Sequence, residues 1–181
     1  MLEGLEAVEL KLSEVMEDNE KFRIDSEYFK KEYLINFSNY ILLKECSKTY
    51  ELHSNGAFKD IFNILHDNQK KEVNYIRSEN VGNFFISGKM EKISKTAHKR
   101  LIKTQTKLND ILIARTGKIG GASIITSEWL SSNTNQNVVN IRVNKNINAY
   151  FLLTFLNTIY GVNQFKRAST GNVQQWLNLS I

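Results

Sequence analysis

The segment ILIARTGKIGGASIIT is the part of this chain that most restricts its fold. Two short apolar runs, 111–115 and 122–126, flank the glycine-bearing turn 116–121, so the segment is expected as strand, tight turn and returning strand. VVNIRV at 138–143 and VNYIRS at 73–78 alternate as strands do. YILLKEC at 40–46 reads as a further buried strand, and 84–88 is a short apolar piece ended by Gly88. Asn55-Gly56 marks a turn, and 60–72 is polar enough to be a loop containing a helical turn. AYFLLTFLNTI at 149–159 predicts a buried helix ended by Gly161. Beyond it, STGN at 169–172 predicts a turn leading into a short helix, VQQWLNL. At the start, Leu2, Leu5, Val8, Leu12, Val15 and Met16 have helical spacing, and Asp25 is a good N-cap for a second helix carrying Tyr28, Phe29, Tyr33, Leu34 and Phe37. The expected fold class is α+β: one mixed α/β domain of twisted strands and hairpins, with a buried C-terminal helix and an N-terminal helical segment. Tyr150, Phe151, Phe155 and Trp176 are expected in its core.

Composition bounds what such a domain does. With 181 residues, 41% hydrophobic and 24% charged, the chain can bury a core. No apolar run approaches the roughly 20 residues needed to span a bilayer, and the acidic, periodic start is unlike a signal peptide. Cys46 is the one cysteine, so no disulfide framework and no cysteine cluster for zinc can form. These features lead to the expectation of a cytoplasmic protein that meets no membrane. The net charge of +5 is divided unevenly. Residues 1–88 hold 11 Lys and Arg against 16 Asp and Glu, whereas 89–181 hold 13 against three, Glu91, Asp110 and Glu128. A basic half joined to an acidic half points to one side that faces a polyanion, although a solvated surface gives the same pattern.

Catalytic groupings are missing. His53, His66 and His98 are isolated and form no metal-ligand spacing. Glu9-Leu10-Lys11 lies on the amphipathic N-terminal stretch without a preceding acid-bearing strand. The 116–121 loop lacks the order of a phosphate-binding loop and leads into a strand instead of a helix N-terminus. An unrelated small enzyme with an anion site at 116–121 is the alternative, with Asp110 the nearest acid in sequence. No catalytic residue, metal or resident cofactor is expected.

The informative residues are basic and amide side chains beside turns. Arg115, Thr116 and Lys118 are expected at a hairpin tip. Arginine there suits guanine O6 and N7, and lysine suits phosphate; a salt-bridged strand terminus is the other reading of Arg115. SSNTNQN at 131–137 offers Asn133, Asn135 and Gln136, amides suited to adenine or simply to turn geometry. Lys166, Arg167 and Asn172 repeat the design around a second glycine turn. The stretch 89–107 carries seven Lys and Arg and one acid, and has a partly helical apolar face. Its Lys99, Arg100 and Lys103, together with Arg77, are candidates to track phosphates, which position a protein without reading sequence.

These segments, taken in order, resemble the target-recognition domains of type I restriction–modification specificity subunits. The resemblance rests on Ala114, Arg115, Thr116, Gly117, Ile119 and Gly120; on Asn135-Gln136; on Tyr150-Phe151-Leu152; and on Thr170, Gly171, Gln174 and Leu177. It covers about residues 73–181, with YIRSENV at 75–81 in keeping and 12–34 consistent with an entry to such a domain. The resemblance implies a target-recognition domain over 39–181 after a helical segment at 1–38. It implies a non-catalytic reader of double-stranded DNA that binds one half of a bipartite target. Its implied partners are adenine-N6 methyltransferase subunits and a motor–nuclease subunit; S-adenosylmethionine, ATP and magnesium would belong to those partners. A full specificity subunit carries two recognition domains and spacer helices, so a dimer or a second recognition domain is expected. Related domains also occur fused to methyltransferases and restriction enzymes, which leaves a fragment of such an enzyme as an alternative.

Overall fold

Ile111, Leu112 and Ile113 are almost wholly buried, so the strand they form needs cover on both faces. A computed structural model of the chain, describing residues 7–17, 19, 22–34, 39–117, 119–170 and 176–177, shows how that cover is built. The strands are β1 (Ser47–Tyr50), β2 (Lys71–Ile76), β3 (Phe84–Phe85), β4 (Glu91–Ser94), β5 (Ile111–Ala114), β6 (Ala122–Ile124), β7 (Asn133–Thr134), β8 (Val138–Val143), β9 (Ser169–Thr170) and β10 (Trp176–Leu177). The α-helices are α1 (Leu12–Met16), α2 (Leu43–Cys46), α3 (Phe58–Leu65), α4 (Lys95–Arg100), α5 (Ala149–Asn157) and α6 (Ile159–Ala168). The fold class is α+β, as expected.

The main sheet has the order β1-β8-β5-β6-β3, with β5 antiparallel to both β6 and β8 and β3 parallel to β6. Alternation along β5 sends side chains to two cores. Ile111 and Ile113 meet Leu152, Leu153 and Leu156 of α5 and Phe165 of α6 on one face. Leu112 joins Ile76, Ile86, Ile125 and Val138 on the other. Each such side chain contributes about 1.5–3 kcal/mol on full burial. A second sheet, β4-β2-β7, pairs β2 antiparallel with β4 and parallel with β7. Helices α3 and α4 cover it through Ile61, Ile64, Ala97 and Leu101, packed with Tyr75 and Ile93.

Several expectations are corrected. YILLKEC is not a strand: the Glu45 carboxylate accepts from Leu42 N at 3.2 Å, the Ser47 hydroxyl donates to Leu43 O at 2.7 Å, and the turn between becomes α2. The strand follows, as β1. Within 60–72, Ile61 and Ile64 give α3 a buried stripe, so residues 60–65 complete a helix longer than the expected helical turn, and Lys71 and Glu72 already belong to β2. The basic stretch 89–107 divides into β4, α4 and a 3-10 turn at Ile102–Thr104, with the Ser94 hydroxyl capping α4 by accepting from Ala97 N at 2.9 Å. Gly161 does not end a helix. The chain breaks at Thr158, and Gly161 lies in the first turn of α6, where a Cβ would stand 2.5 Å from Phe155 O. Tyr150 and Phe151 are 54% and 73% exposed, not core, because the buried stripe of α5 is Ala149, Leu152, Leu153 and Leu156. Trp176 is also exposed, and Trp176–Leu177 pair with β9 where helix was expected; the rest of VQQWLNL lies outside the described residues.

Contacts divide the chain into residues 1–40 and 41–181. Within the first unit, the one described α-helix is α1, shorter than the expected 2–16, whose first residues lie outside the description. The Asp25 carboxylate does accept from Tyr28 N at 3.1 Å, but a turn and a 3-10 helix at Lys31–Tyr33 follow it, and Phe37 is outside the described residues. Arg23 grips Asp25 at 2.7 Å and holds its carboxyl below the ordinary range. No helix among the described residues is long and apolar enough to cross a membrane.

Candidate nucleic-acid interface

Strand β5 delivers Arg115 to a junction of three segments singled out in the sequence. Its backbone N donates to Asn137 O at 2.8 Å, its carbonyl accepts from Leu177 N at 2.9 Å, and Thr116 bridges Trp176. The 116–121 turn, the amide loop and the C-terminal strand therefore meet at one end of the main sheet. The Arg115 side chain does not project from a tip. It is 8% exposed, donates from Nη1 to Glu51 Oε2 at 2.6 Å and from Nε to Leu177 O at 3.2 Å, and lies 5.0 Å from the Trp176 ring centre. This is the salt-bridged terminus, the other reading of that residue. Thr116 is buried too, while Lys118 and Asn172 lie outside the described residues. Glu51 is 64 positions from Arg115, and no local pattern announces it.

The turn glycines serve the chain's own packing. Gly120 and Gly121 have φ of 101° and 91°, the region that favours glycine. A Cβ on Gly120 would come 2.8 Å from Val162 Cγ1, and one on Gly121 would come 2.5 Å from Gly82 O.

The amide loop is mostly internal. Asn133 is fully buried: its Nδ2 donates to Leu101 O at 2.9 Å and Thr104 Oγ1 at 3.0 Å, and its Oδ1 meets His98 Nδ1 at 2.6 Å. The expected DNA-facing position of Asn133 is thus replaced by one that ties β7 to α4 and the following turn. Asn135 is also buried and uses Oδ1 to accept from Asn137 N at 3.0 Å. Gln136 alone of the three candidate amides is exposed.

Cations separate into paired and unpaired groups. Arg77 contacts Glu91 closely and Glu79 at 3.9 Å, and Lys95 pairs with Glu72 at 3.3 Å. Lys70 and Lys95 together hold the Glu72 carboxyl below its ordinary range. Farther along, Lys99, Arg100 and Lys103 are exposed and form no ion pair among the described residues. Lys99 and Arg100 occupy the last turn of α4, where the helix dipole also favours positive charge. Lys166 and Arg167 sit half-buried on the last turn of α6. Asp110, just before β5, is buried: Arg142 of β8 donates to it from Nε at 2.8 Å and Nη2 at 2.7 Å, and Asn140 of β8 donates at 2.9 Å. No cluster of three or more His, Cys, Asp or Glu suited to a metal occurs among the described residues.

Fold and site together define an α+β domain in which Lys99, Arg100 and Lys103 form no ion pair among the described residues. No family model matches the chain, and no curated protein does. Among solved structures it is similar to the HsdS subunit from Thermoanaerobacter tengcongensis, with a TM-score of 0.46 and 13% identity over 75% of this chain and 31% of that one. It is similar also to the type I restriction-modification system S subunit from M. genitalium, with a TM-score of 0.42 and 13% identity over 81% of this chain and 34% of that one. The chain spans about a third of the length of each.

Proposed function

We propose that this chain is a nucleic-acid-reading domain that performs no chemistry itself, and that its ligand is double-stranded DNA. The observation that carries the reading is the row Lys99, Arg100 and Lys103, exposed and without acid partners among the described residues. Cations in such a row exchange condensed counterions for phosphate contacts. The more particular reading is recognition of one half of a bipartite target within a type I restriction–modification specificity subunit, directing adenine-N6 methyltransferase and nuclease subunits. The ordered motifs from Ala114 to Leu177 support it. In this reading Lys99, Arg100 and Lys103 hold phosphates. Gln136 from the amide loop and Lys166 and Arg167 from the end of α6, with Lys118 and Asn172, supply further contacts, and Arg115, Thr116, Asn133 and Asn135 build the surface that presents them. S-adenosylmethionine, ATP and magnesium then act on the partner subunits.

Fluorescence anisotropy with labelled duplexes across a salt series tests the proposal. Affinity should fall with rising salt. Lys103→Ala should weaken all duplexes alike and reduce the salt slope by about one. Enrichment of random duplex DNA, on the chain assembled with methyltransferase subunits, should yield a preferred sequence; recovery of a random pool unchanged overturns the specific reading.

A further inference from the structure

The basic stretch runs on from Lys103 into an open groove at the opposite end of β5 from Arg115. The cavity is about 470 Å³, and its lining includes Lys107, Asp110, Arg142, Lys145, Asn148 and Tyr150. Lys107 and Asp110 come from the loop before β5, Lys145 and Asn148 from the loop joining β8 to α5, and Arg142 and Tyr150 from β8 and α5 themselves. The groove's carboxylate is already neutralised, because Asp110 accepts two hydrogen bonds from Arg142, one from Asn140 and one from Lys107 N at 2.8 Å. That last bond also fixes the backbone that carries Lys107. Arg142 Nη2 reaches Gln105 O at 3.4 Å, which ties the far wall to the same basic stretch.

What the groove offers is therefore positive. Lys107 and Lys145 are exposed and form no ion pair among the described residues. The Asn148 carbonyl oxygen is occupied by Tyr150 N at 2.9 Å and Phe151 N at 3.3 Å, and no acceptor for its Nδ2 hydrogens occurs among the described residues. Tyr150 presents an exposed ring beside them. Two ammonium groups from separate loops, an amide donor and an aromatic face are the complement of a phosphate ester joined to a nucleoside.

We propose that this groove binds a phosphate group between Lys107 and Lys145, with the attached sugar or base against Tyr150. The phosphate is either one of the DNA backbone, extending the row from Lys99 to Lys103, or that of a free nucleotide. The DNA source rests on the function proposed above; the free-nucleotide source does not.

The test compares the unaltered chain with K107Q/K145Q and K107R/K145R. Each is titrated with a mixed-sequence duplex over a salt series, and with dAMP and inorganic phosphate followed by amide NMR. For a backbone phosphate, K107Q/K145Q flattens the plot of log affinity against log salt by roughly 1.8, the value for two lost contacts. K107R/K145R restores the slope, and thermal stability is unchanged. For a free nucleotide, dAMP shifts the amides of Lys107, Lys145 and Tyr150 in the unaltered chain and not in K107Q/K145Q, while the duplex slope stays the same. An unaltered slope together with no shift from dAMP or phosphate overturns the proposal. If the unaltered chain binds no duplex, the function proposed above fails, and the dAMP and phosphate titrations alone decide the groove.

Discussion

The Arg115 guanidinium donates to the Glu51 carboxylate at 2.6 Å, joining the end of β5 to the residue just after β1. With its other bond to Leu177 O, the side chain holds together three parts of the chain. Arg115→Ala is expected to cost about 2 kcal/mol in urea unfolding, the scale of hydrogen bonds to charged groups. Glu51→Gln, which keeps an acceptor and is partly solvated, should cost less. A variant that loses DNA binding with stability unchanged would instead make Arg115 a base contact.

Asn133 uses both ends of its amide inside the fold. Asn133→Ala leaves Leu101 O and the His98 ring without that partner and should destabilise by about 2–3 kcal/mol. Chemical denaturation measures it. Selective loss of adenine preference at full stability would contradict the internal role.

Tyr75 is buried and its hydroxyl meets no partner among the described residues. Burial pushes the phenol well above its ordinary range. Tyr75→Phe removes an oxygen that gains nothing there, so stability should stay within about 1 kcal/mol of the parent or rise. A loss clearly beyond that would reveal a bound water.

Asp67 links Lys71 on β2 to Ser94 on β4. Lys71 Nζ lies 2.6 Å from Oδ1 and the Ser94 hydroxyl donates to Oδ2; these bonds, the lysine's first, hold the carboxyl below its ordinary range. A lowered folded-state value means that the stabilisation is complete above the ordinary carboxylate range, and is lost as pH falls through the lowered value. The protection factor of the Ala97 amide, which Ser94 caps, should therefore hold steady from neutral pH to about pH 4, once intrinsic exchange is divided out, and fall below it. Asp67→Asn should abolish that acid-side step.

Strands β5, β6 and β8 were legible because β5 is apolar throughout, β6 and β8 carry β-branched residues at strand spacing, and turn residues bound them, a pattern that local chemistry enforces. The same signal misled at YILLKEC, where one carboxylate and one hydroxyl satisfied a helical turn, and at α5. There, nine mostly apolar residues do not reveal which stripe the sheet covers, so Tyr150 and Phe151 read as core. At the site, the run from Lys99 to Lys103 was visible as composition, but its lack of acid partners among the described residues was not. Glu72 lies close in space to Lys95 and far from it in sequence, so pairing divided the stretch.

The sequence by itself determined the α+β class, the hairpin at 111–126 and the basic half of the chain, since these follow from periodicity, glycine and charge. Tertiary structure alone decided that Arg115 and Asn133 face inward, that Lys99, Arg100 and Lys103 stay unpaired among the described residues, and that Lys107 and Lys145 share a groove. Those outcomes depend on which residues, dozens of positions apart, the packing of two sheets brings within hydrogen-bonding distance.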